Sequence, residues 1–144
     1  MKKLFCGIFA LLVFSACNQN ESTTTAGVDS AGKVIAIEDA PVFKFEEEIH
    51  DFGVITMGEK VQSDFKFKNV GKTPLIITDA TATCGCTKPE YPTKPIQPGE
   101  EGVIKVTFDS TAKFGLQDKV ITLTSNANPG TTNLHIIGEI KEPK

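Results

Sequence analysis

Arginine is absent from this chain, and all fifteen of its basic side chains are lysines. Arginine is the side chain best suited to paired contacts with phosphate. A chain without it, carrying a net charge of −3, is a poor nucleic-acid binder, so no nucleic-acid partner is expected. Tryptophan is also missing, and Tyr91 is the single tyrosine beside ten phenylalanines. Phenylalanine and the branched aliphatics must therefore supply most of any core. No carboxylate pair, phosphate-binding glycine loop or Ser/His/Asp arrangement stands out, and Ser110, Ser125, His50 and His135 lack a nucleophile motif. No stretch has convincing helical periodicity. The one wholly apolar run is Leu4 to Phe14, and its eleven residues fall short of a membrane-spanning helix.

What the first residues do contain is an export signal: Lys2 and Lys3, the apolar run, then the small pair Ser15-Ala16 before Cys17. Phe14-Ser15-Ala16-Cys17 resembles the lipobox of bacterial lipoproteins. That resemblance implies cleavage before Cys17 and a lipid on its sulfur. Residues 1–16 are thus expected to be a lipoprotein signal peptide, with the remaining chain held to a membrane of the bacterial cell envelope through Cys17. The expected location is the periplasmic or outer-membrane face of that envelope. Processing removes Cys6 and consumes Cys17, so Cys84 and Cys86 become the only thiols. An exported cysteine pair usually meets oxidising conditions.

Residues 17–41 read as a flexible linker. "NQNESTTTAGVDSAG" is polar, small and aperiodic and cannot bury enough apolar surface to fold alone; the short run Val34 to Ile37 is where order is expected to begin. From residue 42 the pattern turns to strands. Val61, Ser63, Phe65 and Phe67 alternate with Gln62, Asp64, Lys66 and Lys68, the period-two signature of a half-buried strand. Further strands are expected at Val42–Glu46, Ile49–Ile55, Leu75–Thr83, Val103–Phe108, Val120–Thr124 and Leu134–Ile140, with a short edge strand within residues 88–96. Turn signals separate them, among them Met57-Gly58, Val70-Gly71 and Pro98-Gly99. Residues 42–141 are accordingly expected to form an all-β, immunoglobulin-like antiparallel sandwich of about seven strands, leaving a tail at 142–144. Pro89, Pro92, Pro95 and Pro98 recur every third residue. That spacing suits a stiff edge that resists strand-to-strand aggregation, or a polyproline II ligand.

"HDFGVITMGEKV", "FKFKNVGKTPLIITDATATCGCT", "PIQPGEEGVIKVTFDSTAKFG" and "ITLTSNA" together resemble DUF1573, a bacterial family of unknown function. The resemblance covers about residues 43–140. Its markers are Asp51-Phe52-Gly53, Asn69-x-Gly71, Cys84-Gly85-Cys86-Thr87 and Pro98-Gly99-Glu100. It implies a domain like those of the ASPM/SPD-2/Hydin and major sperm protein group, in proteins that are often exported or lipid-anchored. It implies no activity.

Cys84-Gly85-Cys86 is the one motif with chemical potential. In a flat strand, residues two apart point the same way with Cα atoms nearly 7 Å apart, the limit for a disulfide. A turn at Gly85 brings them closer and closes a small, readily reduced ring. Two thiolates also suit Cu(I), with Met57 as a candidate third ligand. The turn at Met57–Lys60, the cysteine loop and the Asp109–Gly115 loop are expected to share one end of the sandwich. His50 begins its strand at the other end, and no closed zinc site is expected. The leading expectation is a non-catalytic, lipid-anchored binding or assembly module for a protein or glycan partner, with no cofactor. The alternative is a thiol-redox or copper-handling accessory protein acting through Cys84 and Cys86.

Overall fold

The computed structural model describes residues 39–143 together with the short strands β1 (Gly27–Val28) and β2 (Val34–Ile35), which pair antiparallel. The segment expected to be a flexible linker thus includes a two-stranded ribbon, its second strand lying within the run Val34 to Ile37. The leader at residues 1–16 and Cys17 lie outside the described residues.

Eight further strands form two four-stranded sheets, and there is no α-helix among the described residues. One sheet orders β4 (Ile49–Thr56), β10 (Thr131–Lys141), β9 (Gly115–Ser125) and β6 (Ile77–Ala82); the other orders β3 (Phe43–Phe45), β5 (Lys60–Asn69), β8 (Glu101–Asp109) and β7 (Thr87–Glu90). All pairings within these sheets are antiparallel except β4 with β10, which is parallel. The sandwich is therefore mixed rather than wholly antiparallel. Local alternation carries no information on which distant strand lies alongside, and that is why the parallel pair was not anticipated.

Alternation decides the core. On β5, Ser63, Phe65 and Phe67 are buried while Gln62, Asp64, Lys66 and Lys68 are exposed. Their sheet adds Ile104, Val106 and Phe108; the facing sheet contributes Ile121, Leu123, Leu134, Ile136 and Ile140. Phe43, Phe45 and Phe67 form an aromatic group with ring centroids 5.1–5.5 Å apart. Ser63 sits in this apolar layer with a buried hydroxyl that has no hydrogen-bond partner among the described residues.

The family's sequence markers have structural causes. Asp51 accepts the Gly53 N–H at 2.8 Å. Gly53 has φ +71°, and the β4–β10 register slips beside it. Phe52 thereby turns inward, its ring 5.7 Å from that of Phe108. Gln97 to Glu100 close a turn through a 2.9 Å bond from the Glu100 N–H to the Gln97 carbonyl. Gly99 at its third position has φ +81°, the conformation a type II turn requires.

Asn69 is the next inward position after Phe67 and is fully buried. Its amide nitrogen donates to the Thr73 and Ile96 carbonyls, each at 2.9 Å. Its side-chain oxygen accepts from the Gly71 N–H at 3.0 Å and the Val42 N–H at 3.4 Å. A Cβ on Gly71 would come within 2.6 Å of the Val42 nitrogen, so only glycine permits the entering chain to lie against this turn. One carboxamide thus joins the entry to β3, the turn after β5 and the segment before β8.

Two substitutions check this description. Asn69→Ala leaves buried backbone groups unpaired and is expected to cost about 3 kcal/mol in denaturant unfolding. Ser63→Ala removes a hydroxyl that bonds to nothing and is expected to raise stability by about 1 kcal/mol in the same measurement.

Candidate functional site

The chain changes sheets at the cysteines. β6 is an edge strand of one sheet and β7 an edge strand of the other, and residues 83–86 bridge them. The predicted single strand from Leu75 to Thr83 is shorter than expected: Leu75 instead bridges to Ile96, and β6 begins at Ile77. The proline-spaced stretch is also divided. Pro89 lies within edge strand β7, where a missing N–H is tolerated, while residues 91–95 form no strand.

At the corner, Cys84 and Cys86 are joined by a disulfide with Cα atoms 5.2 Å apart. The backbone bends as it leaves the sheet, and the Thr87 N–H bonds the Cys84 carbonyl at 3.2 Å. That turn brings the two Cα atoms within bridging range. Both cysteines are half-buried and Gly85 is exposed.

The three loops expected at one pole do meet there. The Asp109 N–H donates to the Cys86 carbonyl at 2.9 Å, and the Ser110 N–H to the Glu59 carbonyl at 3.1 Å. The buried Ser110 hydroxyl donates to the Glu59 carbonyl at 2.7 Å and accepts from the Gly58 N–H at 2.9 Å. Sequence reasoning assigned Ser110 no role. Its position directly after a strand was the signal available, because serine hydroxyls commonly bond loop backbone.

Beside the disulfide is a half-open depression of about 270 Å³, lined by Lys60, Gly85, Cys86, Lys88, Thr107, Asp109 and Thr111. Asp109 accepts hydrogen bonds from the Thr111 side chain and backbone, which hold its carboxyl below the usual carboxylate range, with Lys60 adding a weaker pull. Lys60 pairs with it at 3.4 Å. Lys88 makes no ion pair among the described residues, so the depression carries one uncompensated ammonium.

Met57 belongs to the same pole but not to this depression. It begins the turn between β4 and β5, while the cysteines lie beyond β8 at the β7 edge. Two strand spacings, about 10 Å, separate β5 from β7. The structure thus groups Cys84 with Cys86 and leaves Met57 apart. Among the described residues, no three His, Cys, Asp or Glu side chains converge on a metal position. Both histidines lie in the sheet that does not line the depression: His50 contacts Glu47 at 3.2 Å, and His135, on that sheet's outer face, contacts Asp118 at 2.9 Å. Neither histidine lines the depression.

Large apolar side chains are also exposed near this pole. Phe114 is 70% and Leu116 86% exposed, and Val54 shares the Glu139 row with Leu116. The chain enters the sandwich at the opposite pole, where Asp39 pairs with Lys72 at 3.0 Å and Thr73 donates to the Asp39 carbonyl.

Known structures share the architecture. A protein of unknown function from Porphyromonas gingivalis W83 matches with TM-score 0.62 at 16% identity, covering 73% of this chain and 49% of that one. This chain thus spans about half the length of that protein. The ASH/PapD-like domain 7 of human CEP192 matches with TM-score 0.60 at 12% identity, covering 74% of this chain and 89% of that one. The secreted serine protease VesC from Vibrio cholerae matches with TM-score 0.53 at 10% identity, over 72% of this chain and 23% of the protease. At these identities the likeness is one of fold alone. No curated protein matches the sequence. The family profile described as "Protein of unknown function (DUF1573)" matches residues 43–140, so this chain, an immunoglobulin-like and PapD-like β-sandwich, belongs to the DUF1573 family.

Proposed function

We propose that this protein is a lipid-anchored component of the bacterial cell envelope whose sandwich acts as a non-catalytic binding module for a protein or glycan partner. The observation that carries the reading is the division between the two poles. The tether joins beside Asn69, Lys72 and Thr73. Phe114 and Leu116 are exposed toward the other pole, about 30 Å away along the ten residues of β5. A domain held by its N-terminal lipid presents that far pole outward, and exposed apolar side chains supply contact area there.

A second reading, thiol–disulfide chemistry, is favoured by one observation: Cys86 of the Cys84–Cys86 disulfide lines an open depression with two lysines. The same bond argues against copper in the oxidised protein, because sulfurs joined to each other are not thiolate ligands.

Two measurements test the binding reading. In membrane fractionation, the full-length chain is expected to sediment with membranes and the Cys17→Ser chain to become soluble; a Cys17→Ser chain that stays with membranes contradicts lipid anchoring. A photo-crosslinking residue at position 116 is expected to form envelope adducts that the same residue at position 68, near the tether, does not. Equal labelling from both positions contradicts a partner at the far pole.

A further inference from the structure

Thr87 is the first residue of β7 and lies opposite Phe108 in the sheet. It is buried to 4% exposure. Its Oγ1 is 3.7 Å from the Cys84 sulfur and 3.9 Å from the Cys86 sulfur. These two sulfurs are the hydroxyl's only hydrogen-bonding partners among the described residues. A disulfide sulfur accepts a hydrogen bond weakly, whereas a thiolate accepts one strongly. A buried hydroxyl placed this way is poorly satisfied while the bond is intact and well satisfied once it opens.

We infer that Cys84-Gly85-Cys86-Thr87 is a thiol–disulfide exchange site in which the Thr87 hydroxyl stabilises the departing thiolate, and that its substrates are thiols carrying negative charge. This deepens the thiol–disulfide reading above and rests on it. Cys86 lines the depression and Cys84 does not, so a thiolate entering there attacks the Cys86 sulfur. A bond forms between the substrate sulfur and Cys86; the Cys84–Cys86 bond breaks; its electron pair leaves on Cys84. Cys84 has the shorter contact with the Thr87 hydroxyl, which donates a hydrogen bond to the new thiolate without transferring its proton. A second substrate thiolate then attacks the substrate sulfur of the mixed disulfide and releases Cys86 as a thiolate. Two substrate thiols become one disulfide, and the protein's disulfide becomes two thiols. The two protons lost by the substrate thiols are matched by those taken up when the protein thiolates protonate.

The depression selects the substrate by charge. Lys60 is paired with Asp109, whereas Lys88, also lining the depression, has no ion pair among the described residues. An anionic thiol gains from Lys88, and an attacking thiolate is itself an anion.

The test equilibrates the full-length chain with mixtures of reduced and oxidised glutathione, a thiol of net negative charge. Alkylation and peptide mapping then follow residues 84 and 86. The wild type is expected to be reduced as the glutathione ratio rises and to carry its transient glutathione adduct on Cys86. Thr87→Val, close in shape but without the hydroxyl, is expected to shift the exchange constant about tenfold toward the disulfide. Thr87→Ser, which restores the hydroxyl, is expected to match the wild type. Thr87→Ala repeats the test should the valine variant not fold. Lys88→Gln is expected to slow attack by glutathione severalfold, and attack by neutral 2-mercaptoethanol less. A wild-type disulfide that glutathione does not reduce overturns the exchange reading itself. Exchange that proceeds equally in Thr87→Val and wild type overturns the role of Thr87 and leaves the exchange reading standing. An adduct on Cys84 overturns the assignment of Cys86 as the attacked sulfur.

Discussion

The buried carboxamide of Asn69 is the contact on which the arrangement of this domain depends. Its two donors and one acceptor oxygen are used by four backbone groups drawn from three separated segments: Val42, residues 71–73 and Ile96. The backbone of the same residue is bonded to Glu100 and Gly99. Strands alone do not close the end of a sandwich, because the loops that cross it carry polar groups that require partners. Here one side chain supplies them. Gly71 lets the entering strand approach, and the Pro98–Gly99 turn returns the chain into β8. The Asn69-x-Gly71 and Pro98-Gly99-Glu100 markers therefore belong to a single construction.

The opposite pole is closed differently. Ser110 replaces the carboxamide with a hydroxyl and ties the β4–β5 turn to the loop after β8. The β6–β7 corner is bound covalently through Cys84 and Cys86. This pole carries the half-open depression, the uncompensated Lys88 and, nearby, the exposed Phe114 and Leu116. One pole therefore secures the framework and receives the entering chain. The other is the pole to which the proposed partner contact and the proposed exchange chemistry are assigned.

Much of this was legible in the sequence where local rules govern. The alternation from Val61 to Lys68 gave the inward and outward faces of β5 directly, and the turn signals placed the loops at the correct poles. β9 was read only from Val120, although it begins at Gly115. Its early inward positions are Gln117 and Lys119, which hide the alternation. The Gln117 amide turns back to the Phe114 carbonyl at 2.8 Å. The Lys119 ammonium lies 5.8 Å from the centre of the Phe108 ring, a favourable placement for a cation. The cysteines announced themselves by their type and spacing. Thr87 did not, because its importance lies in distances to two sulfurs that only folding establishes. Met57 was grouped with the cysteines by pole alone; strand order, which no local pattern encodes, separates them.

The two poles differ in what their closure means for stability. The Asn69 contacts join distant segments, whereas the disulfide closes a loop of three residues and removes little freedom from the unfolded chain, about 1.6 kcal/mol on the loop-entropy scale. The framework is thus expected to stand without the bond, as the proposed exchange requires. Thermal unfolding of the oxidised and the fully reduced full-length chain measures this directly. One cooperative transition is expected in both states, with the reduced midpoint lower by no more than about 10 °C. Loss of the cooperative transition on reduction would show instead that the disulfide holds the fold together, and would contradict that expectation.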